Sequence, residues 1–250
     1  MRYSLRRFSA GYFSDYTVFH PGMTIQTRTL CLALLLGLLP TLSAQMPYTR
    51  FEAGFSVKEK TADGKLRLTM GQVYYDRNIG QLIYRVDFPE PEIRLATDSV
   101  IYRIRRDSIV ERLEMPNIVQ FSVINLCLSG NLPYFGLNQS PYTIGEVSRD
   151  GDLVISTWLP PAEWAEAKGR VVISQRDKQL FGMVSYAPDG TMIGRQFLRN
   201  YIAVGGLQIP TEVINYAGIP VSTQITTFRD VRINHMDDDT HYRYTLPAPR

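Results

Sequence analysis

The chain is poor in the side chains that most often carry chemistry. Its 250 residues hold two cysteines (Cys31 and Cys127) and three histidines. A disulfide-built scaffold and a cysteine-rich zinc site are excluded on count alone. No G-x-S-x-G elbow, Gly-rich phosphate loop or zinc-ligand spacing occurs, so the common hydrolase, nucleotide and zinc signatures are missing. No apolar run approaches the roughly 20 residues that a membrane-spanning helix needs, which excludes a multi-pass helical membrane protein. Charge excess is also missing once the N-terminus is set apart. Residues 1–44 carry Arg2, Arg6, Arg7 and Arg28 against Asp15 alone. Removing these from totals of 27 basic and 24 acidic residues leaves 23 of each in 45–250. A formally neutral body has no electrostatic footprint for nucleic acid, and no nucleic-acid partner is expected.

What is present near the start is Leu30–Leu39, ten residues of nearly pure hydrocarbon behind Arg28 and ahead of Pro40-Thr-Leu-Ser-Ala44. A basic flank, a short apolar run and a small-residue exit predict a secretory signal peptide over 23–44, cleaved after Ala44. Residues 1–22, ahead of Met23, then read as an extension from a start codon placed too early. Cys31 leaves with the signal and sits too early in it to be a lipidation cysteine. The exported body, 45–250, keeps only Cys127, cannot form an internal disulfide, and has the size of one domain.

Within that body, turn signals recur at short intervals: Asp63-Gly64, Asn78-Ile-Gly80, Arg106-Asp107, Asp150-Gly151, Asp177-Lys178, Asp189-Gly190 and Gly205-Gly206 among them. Runs rich in Val, Ile, Thr, Tyr and Phe lie between, the pattern of antiparallel hairpins. About eleven strands are expected in one meander, a mainly β fold, and a parallel α/β arrangement is excluded. Tyr48–Lys60 reads as the first strand and Val221–Ile233 as a long, curved last one. Alternation gives the faces: Leu82, Tyr84, Val86 and Phe88 on one strand, and Val100, Tyr102 and Ile104 against Arg103 and Arg105 on another. Along Leu66–Asp76 the apolar phase slips at Gly71, which predicts a β-bulge.

An apolar sheet face needs a cover, and Pro116–Leu137 is the candidate. Pro116 suits a helix start and Gly130 a stop, with Ile118, Val119, Phe121, Val123, Ile124, Leu126, Cys127 and Leu128 uncharged between them. Leu132, Tyr134, Phe135 and Leu137 extend it as an apolar loop. A shorter helix is expected at Pro161–Lys168. The stripe Tyr84, Phe88, Tyr102 and Ile104 is expected to face Phe121, Ile124 and Leu128, with Phe135 beside them, either as an acyl-chain cleft or as a closed core. The group Asp237-Asp238-Asp239-Thr-His241, with His235, could ligate a divalent cation but reads as a solvated turn. No catalytic group, metal or cofactor is expected.

Gly71-Gln-Val-Tyr-Tyr-Asp-Arg77, Leu82–Pro89, Ile93-Arg-Leu-Ala-Thr-Asp98-Ser-Val-Ile-Tyr102, Gly205-Gly-Leu-Gln-Ile-Pro210 and Val231–Asn234 with Asp238, Asp239 and Tyr242 together resemble the periplasmic outer-membrane lipoprotein carrier (LolA-like) superfamily. The resemblance spans most of 49–246. It implies an open antiparallel half-barrel of about eleven strands, with a helical lid over a concave apolar face. It also implies a periplasmic carrier or chaperone for lipid acyl chains or lipoproteins, a monomer that meets an inner-membrane export complex and an outer-membrane acceptor. Arg77, six residues after Gly71, is the counterpart of the arginine that latches the carrier's lid. Two features depart from the family: Arg77 is followed by Asn78 rather than proline, and a strand stands where the N-terminal lid helix would be. A non-enzymatic sensor or protein-interaction module on the same half-barrel is the alternative.

Overall fold

The computed structural model describes residues 47–218, 221–236 and 238–248. The predicted signal peptide, its cleavage point after Ala44 and the extension 1–22 lie outside them. Thirteen strands form one sheet: β1 (Arg50–Lys60), β2 (Leu66–Asp76), β3 (Gln81–Phe88), β4 (Glu92–Ala96), β5 (Val100–Arg105), β6 (Ser108–Glu114), β7 (Thr143–Asp150), β8 (Leu153–Leu159), β9 (Val171–Arg176), β10 (Gln179–Tyr186), β11 (Met192–Val204), β12 (Leu207–Ala217) and β13 (Ser222–Ile233). Every pairing is antiparallel, and all but one join consecutive strands. The exception zips β1 to β13 at the centre, from Phe51 opposite Ile233 to Lys60 opposite Thr223. The order runs β6 to β1, then β13 down to β7, and β6 and β7 do not meet, so the half-barrel stays open.

The count exceeds the expected eleven. The two edge strands are the least legible, because nearly every residue of β6 and all of β7 are exposed and the half-buried alternation is lost. The turn chemistry reads correctly. Arg106-Asp107, Asp177-Lys178 and Gly205-Gly206 each put two successive residues at positive φ, the two-residue turn whose twist matches the flanking strands. The bulge is also where the sequence puts it: β2–β3 register slips between Met70 and Gly71. A Cβ on Gly71 would stand 1.9 Å from the Arg85 carbonyl oxygen, so no other residue allows that approach.

One apolar cluster takes side chains from both arms, including Phe51, Val73, Leu82, Ile173, Leu198 and Val213, so the sheet curls around it. The connection between β6 and β7 closes the mouth of that curl as a roof. Only Val123–Leu128 is α-helical (α1), followed by single 3-10 turns at Leu132–Tyr134 and Leu137–Gln139. The helix predicted from Pro116 starts late for local reasons. Asn117 takes a left-handed φ of 60°, and the Ser122 hydroxyl accepts from the Asn125 amide as an N-cap, 3.2 Å away. Gly130 does end it, at φ 73°, with the Asn131 amide reaching back to the Leu126 carbonyl at 3.0 Å. Pro161–Lys168 is shorter than expected, a 3-10 turn at Ala162–Trp164 with the Lys168 ammonium 4.2 Å over the Trp164 ring.

The outer face of β1–β5 is covered too. Residues 234–236 and 238–246 lie across it, and Tyr244 and Leu246 pack on a second cluster of Ile83, Leu95 and Ile104. Tyr242 is 1% exposed, and its hydroxyl donates to Glu52 at 2.9 Å. Arg50 bridges Asp76 at 2.7 Å and Asp239 at 2.6 Å. The Gln81 side chain donates to the Tyr244 carbonyl and accepts from its amide, at 3.1 and 2.8 Å. The polar turn read as solvated is therefore the anchor of a docked segment.

Candidate functional site

Beneath the roof lies a cleft of about 480 Å³. Alternation on β1, β3, β4 and β5 supplies one wall, β11–β13 the other, and Ile118–Ile124 the ceiling. Its lining is mostly apolar: Phe55 stands edge-on to Tyr84 with ring centroids 5.0 Å apart, and Val213, Phe228, Phe121 and Ile124 close the sides. Burial pushes the Tyr84 phenol up to about 12. Arg94 is the sole fully charged side chain in the lining, and no Asp or Glu lines it. Its Nε donates to Glu92 at 2.6 Å, and Arg105 Nε donates to the other oxygen of the same carboxylate at 2.7 Å. Burial works against ionising Glu92, but the two guanidinium bonds outweigh it and hold the carboxyl below its usual range. On the opposite wall Gln196 donates to Asn215 Oδ1 at 2.6 Å, with Gln224 in the next strand of the same row.

The roof is held by few polar contacts. Tyr75 donates to Asn125 Oδ1 at 2.8 Å, and Gln175 to the Pro133 carbonyl at 2.8 Å. Arg77 does not contribute. Its guanidinium donates to the Tyr48 carbonyl at 3.3 Å, so the bond goes to the lead-in of β1 and not to the roof, although the residue borders a small polar hollow with Phe121 and Asn125. The bond from β2 to the roof comes instead from Tyr75, two residues earlier and on the same inner face as Val73.

Tyr84, Phe121 and Ile124 line the same cleft. Tyr102 and Ile104 do not: they belong to the outer cluster, under the C-terminal segment. Even-numbered residues of β5 point outward, and Ile101 is the one that reaches the cleft. Phe88 lies opposite Met70 just past the bulge and is 46% exposed. Leu128 is buried in the core behind the cleft, and Phe135, at a left-handed φ of 51°, packs against that core without lining the cleft. Arg94, Gln196 and Asn215 were not singled out from the sequence, although each sits in alternating phase on a recognisable strand. Among the described residues no group of three or more His, Cys, Asp or Glu is placed to hold a metal.

The site and fold define an open, roofed antiparallel half-barrel with an internal apolar cleft. No family model matches the sequence, and no curated protein does. Solved structures match the fold. A LolA superfamily protein from Nitrosomonas europaea superposes with a TM-score of 0.53 at 11% identity, covering 80% of this chain and 92% of its own. A DUF1329 family protein from Desulfovibrio piger gives 0.57 at 9% identity over 89% and 98% of the two chains. A domain named for outer membrane lipoprotein sorting from Vibrio parahaemolyticus gives 0.53 at 9% identity over 76% and 88%. The fold is LolA-like.

Proposed function

We propose that residues 45–250 are a periplasmic carrier or chaperone for lipid acyl chains, including those of lipoproteins bound for the outer membrane, exported by cleavage after Ala44. The observation that carries this reading is the roofed apolar cleft. A cleft of about 480 Å³ lies in the range of small-molecule sites, and each buried methylene contributes about 0.8 kcal/mol, so a chain can be held by area without catalytic groups. The protein acts as a non-enzymatic monomer without metal or cofactor, receiving cargo from an inner-membrane complex and passing it to an outer-membrane acceptor. The likeness in fold to the lipoprotein-sorting domain supports the cargo class.

The test is binding of a fluorescent fatty acid, together with native mass spectrometry of protein purified from its own periplasm. Val57 lines the cleft and is only half-buried, so Val57→Glu sets an unpaired charge among apolar neighbours and leaves the sheet intact. Binding is expected to fall tenfold or more with unchanged β-sheet circular dichroism. Undiminished binding by the variant, or a stoichiometric protein in place of lipid in the native spectrum, would overturn the reading and favour an interaction module.

A further inference from the structure

The cleft is not uniformly greasy, and its polar groups fall in a pattern that an acyl chain alone does not require. Arg94 enters the lining from β4, and its Nε is committed to Glu92. Its two terminal nitrogens have no hydrogen-bond partner among the described residues. Tyr84 is the cross-strand neighbour of Arg94 on β3, and its partly buried side chain lines the same cleft with no hydrogen bond from its hydroxyl among the described residues. Across the cleft, Gln196 Oε1 is buried and unpaired, beside Asn215. Of these groups Gln196 Oε1 is the fully buried one, whereas the Arg94 side chain is 41% exposed; a buried polar group without a partner is costly and calls for an explanation. A guanidinium with free terminal nitrogens beside a hydroxyl, and no carboxylate in the lining, offers donors to an anion, while the Gln196 oxygen opposite offers an acceptor to a headgroup hydroxyl.

The pairing of the surrounding charges leaves those donors at the cleft. Arg105 is committed to Glu92 and Glu90, and Arg103 to Glu111 at 3.1 Å, so the neighbouring arginines are neutralised away from the lining. Arg94 and Arg105 share Glu92, and Glu90 also pairs Arg105, so the cluster is neutral overall while the terminal nitrogens of Arg94 remain free donors at the cleft. We propose that the cleft binds amphiphiles with an anionic headgroup, carboxylate or phosphate, whose charged end is held by Arg94 and Tyr84 while the chain runs beneath the roof. The inference deepens the acyl-carrier reading and rests on it.

The experiment compares matched ligands below their micelle-forming concentrations at mildly alkaline pH: hexadecanoate, hexadecyl phosphate, the neutral hexadecanol, and inorganic phosphate as a tail-less anion. The wild type is expected to bind at least one of the two anionic amphiphiles tenfold or more tightly than hexadecanol, since a hydrogen bond to a charged group is worth that factor or more. Which of the two is preferred assigns the headgroup. Inorganic phosphate is expected not to displace either. Arg94→Gln should abolish the preference for the anionic amphiphile over hexadecanol, and Arg94→Lys should restore part of it. Equal binding of charged and neutral amphiphiles by the wild type would overturn the headgroup site and leave the carrier reading standing. Failure of every amphiphile to bind would overturn both. The wild-type comparison decides the matter even where a variant does not fold, and retention of the preference by a folded Arg94→Gln would overturn the assignment to Arg94.

Discussion

At Gly71 the missing side chain is what the fold uses. The slip between Met70 and Gly71 brings the Arg85 carbonyl to a place where a Cβ would lie 1.9 Å away, and the obstructing atom is backbone that cannot rotate aside. Gly71→Ala is therefore expected to cost about 1–3 kcal/mol or more of stability through forced backbone shifts. A urea titration of the variant checks this, and an unchanged midpoint would show that β2 and β3 can separate locally at no cost. The same residue was legible in advance, because the apolar phase of Leu66–Asp76 slips there and a glycine stands at the slip. Arg94 was not legible as a lining residue. On a strand reading Ile93-Arg-Leu-Ala, an arginine beside apolar neighbours is indistinguishable from one pointing at water until the opposite wall is known.

Among the elements, the error over Tyr102 and Ile104 has a clear physical origin. Alternation separates a strand into two faces but does not say which one the core takes. On β5 both faces are covered, Ile101 by the cleft and Tyr102 with Ile104 by the C-terminal segment, so the more apolar set was not the inner one. That segment was hidden because its anchors are polar: Arg50 with Asp76 and Asp239, and Tyr242 with Glu52. A run of three aspartates looks like a solvated turn until Arg50, the partner of Asp239 and 189 residues away, is known. Tyr242→Phe keeps the ring and removes the donor to a carboxylate that is itself 6% exposed. The expected loss is about 1.5–3 kcal/mol, the range for hydrogen bonds to charged groups. Thermal unfolding followed by near-ultraviolet circular dichroism would measure it, and a melting curve superimposable on the wild type would show that Glu52 is satisfied without the tyrosine. The roof was legible as an apolar segment ending at Gly130 but not as a short helix, because Asn117 and Ser122 act through local side-chain and backbone geometry that hydrophobicity does not report.

For the whole molecule, the centre and the periphery are built differently. β1 and β13 join the first and last strands of the described chain, so both arms hang from one central seam, while the outermost strands carry their charges in the open. Charged residues such as Glu111, Arg112 and Glu114 on β6, and Glu146 and Arg149 on β7, discourage edge-to-edge pairing between copies. An open sheet of this size needs that protection. The large apolar interior remains closed only as far as the roof is closed, and the roof carries its own gauge. Cys127 lies on α1, is 4% exposed, and has its thiol pushed up to about 12 by burial. It is the one cysteine in residues 45–250, so alkylation of the body at this position records excursions in which α1 lifts from the sheet and lets the thiolate form. Iodoacetamide labelling should be slow in the wild type. In Tyr75→Phe, which loses the bond to Asn125, it should accelerate about fivefold or more. Equal rates would mean that apolar packing alone keeps the roof down. The frequency with which the roof lifts is thus written into the chemistry of a single sulfur atom, readable in solution without any bound ligand.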